Sequence, residues 1–120
     1  MNLVDNLLTL VNQIKICHWQ SETFGSHTAL GLTYDKLNDL IDLFIEEFMG
    51  KYGKIRSESG FLIKLKNANE LDITEFINLN IEYLTTELIK IIQPTDTNLL
   101  NIRDEILGEL QKLKYLMTLQ

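Results

Sequence analysis

The chain has 120 residues, 45% of them hydrophobic, with one Pro, six Gly and one Cys. That is a single domain's length with ample apolar content, so disorder is excluded, and a lone Cys excludes an intrachain disulfide. The formal net charge is −6 with no basic run at either end, which argues against nucleic acid as the main partner, because phosphate binding needs clustered cations.

The first predicted helix covers about residues 2–20. Its apolar stripe is Leu3, Leu7, Val11 and Ile14, with His18 next in the series, the spacing of a helix with one buried face. This N-terminus lacks the charged start and small-residue cleavage site of a signal peptide. No apolar run in the chain approaches the ~20 residues that a membrane span needs. The expectation is a cytoplasmic protein with no membrane partner. A short connection with Gly25 follows, over residues 21–26.

The second helix opens at Phe24 or His27 and runs to Met49, where Gly50 and the following Lys51-Tyr52-Gly53 give the stop signal. It has two faces. With His27 at zero and ~100° per residue, Leu30, Leu37, Ile41, Phe44 and Phe48 cluster on one side, the face for the bundle's own core. The other side carries His27, Gly31, Tyr34, Asp35, Asn38, Asp42, Ile45, Glu46 and Met49. A solvated face would more often be Lys and Glu throughout. Gly31 on this face predicts close approach of another helix.

Residues 51–71 form the longest irregular stretch, with apolar residues at Phe61 to Leu65 that suit a short helix or a packed turn. A connection this long suits a crossover running the length of a bundle. The third helix starts at N-cap Asp72 with Glu75 three residues on, and is expected to reach about Ile92 before Pro94. The fourth begins after Thr95-Asp96-Thr97, with the stripe Leu99, Ile102, Ile106, Leu110, Leu113, Met117. Arg103, Asp104 and Glu105 on it read as an exposed charge cluster, Trp19 as core filler, and Cys17 as a small buried apolar residue rather than a ligand. The fold class that follows is all-α, one domain over residues 1–120.

Two carboxylates, Asp42 and Glu46, lie side by side at i, i+4, and the only two histidines, His18 and His27, share one corner. Together they make a donor set suited to iron, manganese or zinc. His27 and Asp42 are 15 residues apart on one helix, roughly 22 Å, so they cannot share a metal within one subunit. They can share one if two copies of the second helix pack antiparallel about a two-fold axis, which gives a homodimer with two equivalent sites. A di-iron site inside one bundle would need Glu-x-x-His, and the residues three before the histidines are Lys15 and Phe24.

The run Cys17-His18-Trp19, Phe24, His27, Tyr34-Asp35, Ile41-Asp42, Glu46 resembles the Dps-like miniferritins, over residues 14–50. The stretch from His18-Trp19-Gln20 to Gly50-Lys51-Tyr52-Gly53 is similar to small phage-encoded ferritin-like proteins of unassigned function. The resemblance implies a ferritin-like four-helix bundle with a long crossover between the second and third helices. It implies a ferroxidase centre across a two-fold interface, with His18 and His27 from one subunit and Asp42 and Glu46 from the other, and possible assembly of dimers into a cage. Three features depart from the family. Gly31 stands where a carboxylate is usual, the first connection is about three residues shorter, and the Lys-rich tail of DNA-binding members is missing. The competing expectation is a non-catalytic helical dimer or assembly module, with at most one structural metal. Metal content and Fe²⁺ oxidation separate the two.

Overall fold

A computed structural model describes residues 2–119. Within them the chain is all-helical, with four α-helices in the order α1 (Leu3–Gln20), α2 (Phe24–Tyr52), α3 (Ile73–Glu82) and α4 (Thr97–Met117). None of these helices is long and apolar enough to cross a membrane.

The four helices share one apolar core. The expected stripes supply it: Leu3, Leu7, Val11 and Ile14 from α1, Leu30, Leu37, Ile41 and Phe44 from α2, and Leu99 to Leu113 from α4 are all buried. Phe44 is the largest side chain with essentially no exposure. The most extensive packing is of α2 against both α1 and α4, while α3 lies on α4. This leaves α2 central, with one face free.

Of the two expected openings α2 takes the earlier, Phe24, so the turn after α1 is only residues 21–23; Thr23 caps α2, its side chain accepting from the Ser26 N–H at 3.1 Å. At the other end α2 continues three residues past Met49. Gly50 is tolerated inside the helix, and the stop comes at Gly53, whose φ of 88° an L side chain rarely adopts. The extra turn places Lys51 and Tyr52 so that both donate to the Asp96 carboxylate, which also accepts from the Gln93 N–H at 2.8 Å. Asp96 is buried, and instead of capping α4 it ties the end of α2 to the α3–α4 turn.

The residues from Phe61 to Leu65 form no helix; a single 3₁₀ turn follows at Ala68–Glu70. This connection is fixed to α1 by two glutamines. Buried Gln13 donates to the Lys66 carbonyl at 2.9 Å and accepts the Lys66 N–H at 2.8 Å. One heptad on, Gln20 accepts the Ala68 N–H at 2.7 Å and donates to the Asn67 side chain at 3.0 Å. Phe61 lies nearer the start of α1, beside Val4, Leu7 and Val11. The connection therefore climbs α1 from its first half to its C-terminus. One cleft is lined by Gln20 ending α1, Ser26 opening α2, Ile73 opening α3 and Met117 ending α4. All four meet at one end, so α2 and α3 start together and α1 and α4 finish there.

The third helix was expected to be regular to about Ile92. Instead α3 stops at Glu82, widens into a π turn over Tyr83–Glu87 and tightens into a 3₁₀ turn over Leu88–Ile91. The buried residues explain this. Leu84, Leu88 and Ile92 are spaced by four, and in a pure α-helix each such step overshoots a full turn by about 40°. The wide turn takes up the drift. Thr85 and Thr86 bond back to the Ile81 and Glu82 carbonyls, and Arg103 donates to the Leu84 carbonyl at 3.1 Å. Arg103 is thus mostly covered, while its neighbours Asp104 and Glu105 are exposed as expected.

Candidate functional site

The corner between α1 and α2 is built by its histidines. His18 lies in the last turn of α1 and His27 in the first turn of α2, and their rings stack with centroids 4.0 Å apart and planes 20° from parallel. Each bonds to the other's backbone: His18 Nδ1 lies 2.7 Å from the His27 carbonyl oxygen, and His27 Nδ1 lies 3.0 Å from that of His18. A carbonyl only accepts, so both Nδ1 atoms carry their protons. When such a ring is neutral, Nε2 is the nitrogen with a lone pair, and a carbonyl bonded to Nδ1 fixes the imidazole tautomer that metal binding needs. His18 is half-buried and His27 exposed.

Gly31, one turn after His27, is the seat of this stack. A Cβ there would lie 2.7 Å from Cε1 and 3.0 Å from Nδ1 of His18. The close approach expected at this glycine is made by a ring of the same chain. A carboxylate at this position would need the space the ring fills.

Beside the stack, Lys15 sits with Nζ 5.0 Å from the ring centroids of both Trp19 and Tyr34. These residues, with Asp35 and Leu32, line a shallow cleft of about 350 Å³ next to the histidines. Trp19 is 63% exposed, so it is not core filler; it follows His18 by one residue and so points about 100° around the helix. Cys17 is buried and lines the separate cleft at the bundle end. Burial pushes its thiol pKa up, although Gln13 offers it a hydrogen bond at 3.7 Å. An apolar setting and a raised pKa make it a poor thiolate ligand.

Asp42 and Glu46 lie on the same open face of α2, far from the histidines, and both are exposed. The Asp42 side chain raises the Glu46 pKa, first through a hydrogen bond between the carboxyl groups and then through its charge. The pair therefore holds a proton more tightly than an isolated glutamate would. Asp42 also borders a groove of about 250 Å³ between α1, α2 and Phe61. Since α2 is unbroken, 15 residues of rise hold His27 and Asp42 roughly 22 Å apart.

The four candidate ligands thus fall into two pairs at opposite ends of one helix face. Among the described residues, no three His, Cys, Asp or Glu side chains come together to hold a metal ion. Lys15 escaped sequence reasoning as a member of the histidine corner. Its spacing, three before His18 and four before Trp19, was the available signal.

Residues 18–117 match a family of unknown function (DUF5856). The matched segment opens at His18 and takes in His27, Asp42 and Glu46. No curated protein and no solved structure matches the chain.

Proposed function

The chain belongs to that family of unknown function, so an activity must be argued from its own residues, and we propose that it is a Dps/miniferritin-like iron-binding protein with a ferroxidase-type site shared between two subunits. In this reading α2 packs antiparallel on the α2 of a second copy. His18 and His27 of one protomer then meet Asp42 and Glu46 of the other, twice per homodimer, and such dimers are the unit from which a cage would be built.

The fold of this reading is a ferritin-like four-helix bundle with residues 53–72 as the crossover. The climb of that connection along α1, held by Gln13 and Gln20, supports it. So does the shared end at which α2 and α3 both open.

The observation that carries the proposal is the complementarity of the two half-sites. The histidines have Nδ1 committed to carbonyls, which leaves Nε2 lone pairs for a metal. The carboxylates crowd each other, which holds the Glu46 carboxyl above its ordinary pKa, and a cation between them would relieve that repulsion. Two imidazoles and two carboxylates suit Fe²⁺, and also Zn²⁺ or Mn²⁺. Iron here is the substrate. Two Fe²⁺ each lose one electron, and O₂ takes both with two protons to leave hydrogen peroxide; peroxide can replace O₂ as oxidant, taking two electrons and two protons to give water. The residues' part is to hold the metal and accept or release protons at the carboxylates.

The test mixes two inactive subunits. A His18→Ala, His27→Ala protein and an Asp42→Ala, Glu46→Ala protein should each bind little Fe²⁺. After subunit exchange, heterodimers regain one intact site, and both metal content and Fe²⁺ oxidation should rise. A mixture no better than its parents refutes the shared site.

One observation favours a second reading, a non-catalytic dimer or assembly module. Gly31 and the His18 ring leave no room for a further carboxylate at the corner. Protein purified without a His tag that carries no metal and does not oxidise Fe²⁺ would decide for that reading.

A further inference from the structure

We propose that Lys15 and Asp35 form reciprocal ion pairs across the two-fold axis of the α2–α2 homodimer and so fix its register. This rests on the antiparallel dimer proposed above and adds a contact that the metal site does not require.

The position of the axis comes first. If residue 27 of one α2 faces residues 42–46 of the other, the axis crosses α2 midway, at about residue 35 or 36. Asp35 is exposed there, and on a two-fold axis a residue faces its own copy. Two aspartates would then repel each other at the centre of the interface, unless a cation comes with each.

Lys15 is that cation. Its Nζ is held beside Tyr34, next to Asp35, by the rings of Trp19 and Tyr34. Among the described residues, the ion pairs involve Lys51, Lys90, Arg103 and Lys112, and neither Lys15 nor Asp35 has an ionic partner there. Both line the same cleft, so a two-fold operation through it brings each lysine to the other copy's aspartate. The patch is self-complementary in charge, as an isologous contact requires.

The surroundings suit burial. Trp19 and Leu32, at 63% and 61% exposure, flank the charged pair. An apolar, aromatic surround excludes water and strengthens an ion pair inside it. Register follows from what lies beyond. Asp39, Asp42 and Glu46, all exposed, make the second half of this face acidic, so sliding the helices to bring those halves together sets acid against acid. The centred register gives each Asp35 the Lys15 of the other copy.

Charge reversal is the test, with all four candidate metal ligands intact. Lys15→Glu and Asp35→Lys, each alone, should raise the dimer dissociation constant at least about tenfold in sedimentation equilibrium at ~0.05 M salt, since each substitution acts twice. The double variant should return to within about threefold of the parent. The gap should narrow at ~0.5 M salt. Lys15→Gln and Asp35→Asn should shift it less, in the same direction, with unchanged helicity. Single variants within about twofold of the parent, or a double no tighter than the singles, overturn this inference and leave the shared metal site standing. A parent protein that stays monomeric at every concentration overturns the dimer itself, and with it both proposals.

Discussion

The imidazole of His18 occupies the space in which a side chain at Gly31 would stand. A Cβ at Gly31 would approach its Cε1 to 2.7 Å, and the same ring donates from Nδ1 to the His27 carbonyl. One glycine on α2 therefore sets the position of a candidate ligand that belongs to α1.

Gly31→Ala separates site geometry from stability. Alanine favours the helix by about 1 kcal/mol over glycine. The displaced ring loses a hydrogen bond worth about 1 kcal/mol. These nearly cancel, so the urea midpoint should move little while the His18 ring resonances shift and metal affinity falls at least tenfold. Unchanged His18 resonances would show that the ring does not depend on the missing Cβ.

Asp96 should govern stability in acid. Its pKa is lowered to about 2, chiefly by the Gln93 N–H and then by Lys51 and Tyr52. A depressed folded pKa contributes stability above the unfolded value near 3.8, lost as pH falls from about 4 to about 2. Urea unfolding of the parent and of Asp96→Asn should differ most near neutrality and converge near pH 2. A difference independent of pH would remove the carboxylate's charge from the explanation.

Glu46 should titrate above its ordinary value of 4.5 in the metal-free protein. Because its folded pKa is raised, its contribution to stability is full below 4.5 and is lost as pH rises through the folded value. In Asp42→Ala the Glu46 side-chain carbon, followed by NMR, should titrate near 4.5 again. Adding a divalent cation at a pH near the folded pKa should release a proton from the parent and less from that variant.

Gln13→Ala should loosen the connection without touching the candidate ligands. Both backbone groups of Lys66 lose their partner, and water replaces it at that exposed residue, so about 1–2 kcal/mol is expected from the urea midpoint. Limited proteolysis should then cut within residues 53–67 faster than in the parent.

What could be read from the chain follows from where each feature's cause lies. The apolar stripes of α1, α2 and α4 were legible because Leu7, Ile14, Leu37, Phe44, Ile106 and Leu110 repeat with the helical period and all are buried. The N-cap Asp72 accepts from the N–H three residues on, as local chemistry dictates. The misread features have distant causes. Gly50 looks like a stop until Asp96, more than forty residues later, gives Lys51 and Tyr52 a partner. The π turn after Glu82 answers to the spacing of Leu84, Leu88 and Ile92 against the core and to Arg103 on another helix. Trp19 could not be recognised as exposed from its apolarity alone. For the candidate site, the pairing of His18 with His27 was visible in their spacing, while the seat at Gly31 and the neighbour Lys15 required the two helices to be packed.

The two-point fastening of the connection also says where foreign sequence can be inserted. Residues 66–68 are bound to Gln13 and Gln20, but the turn closed by the Gly60 N–H on the Ser57 carbonyl at 3.1 Å carries none of that fastening. Each doubling of a flexible loop costs only about 0.6 kcal/mol. An epitope spliced between Ser57 and Gly60 would leave the two glutamine ties and the histidine corner as they are, and would report on assembly from beside the groove that Phe61 shares with Asp42.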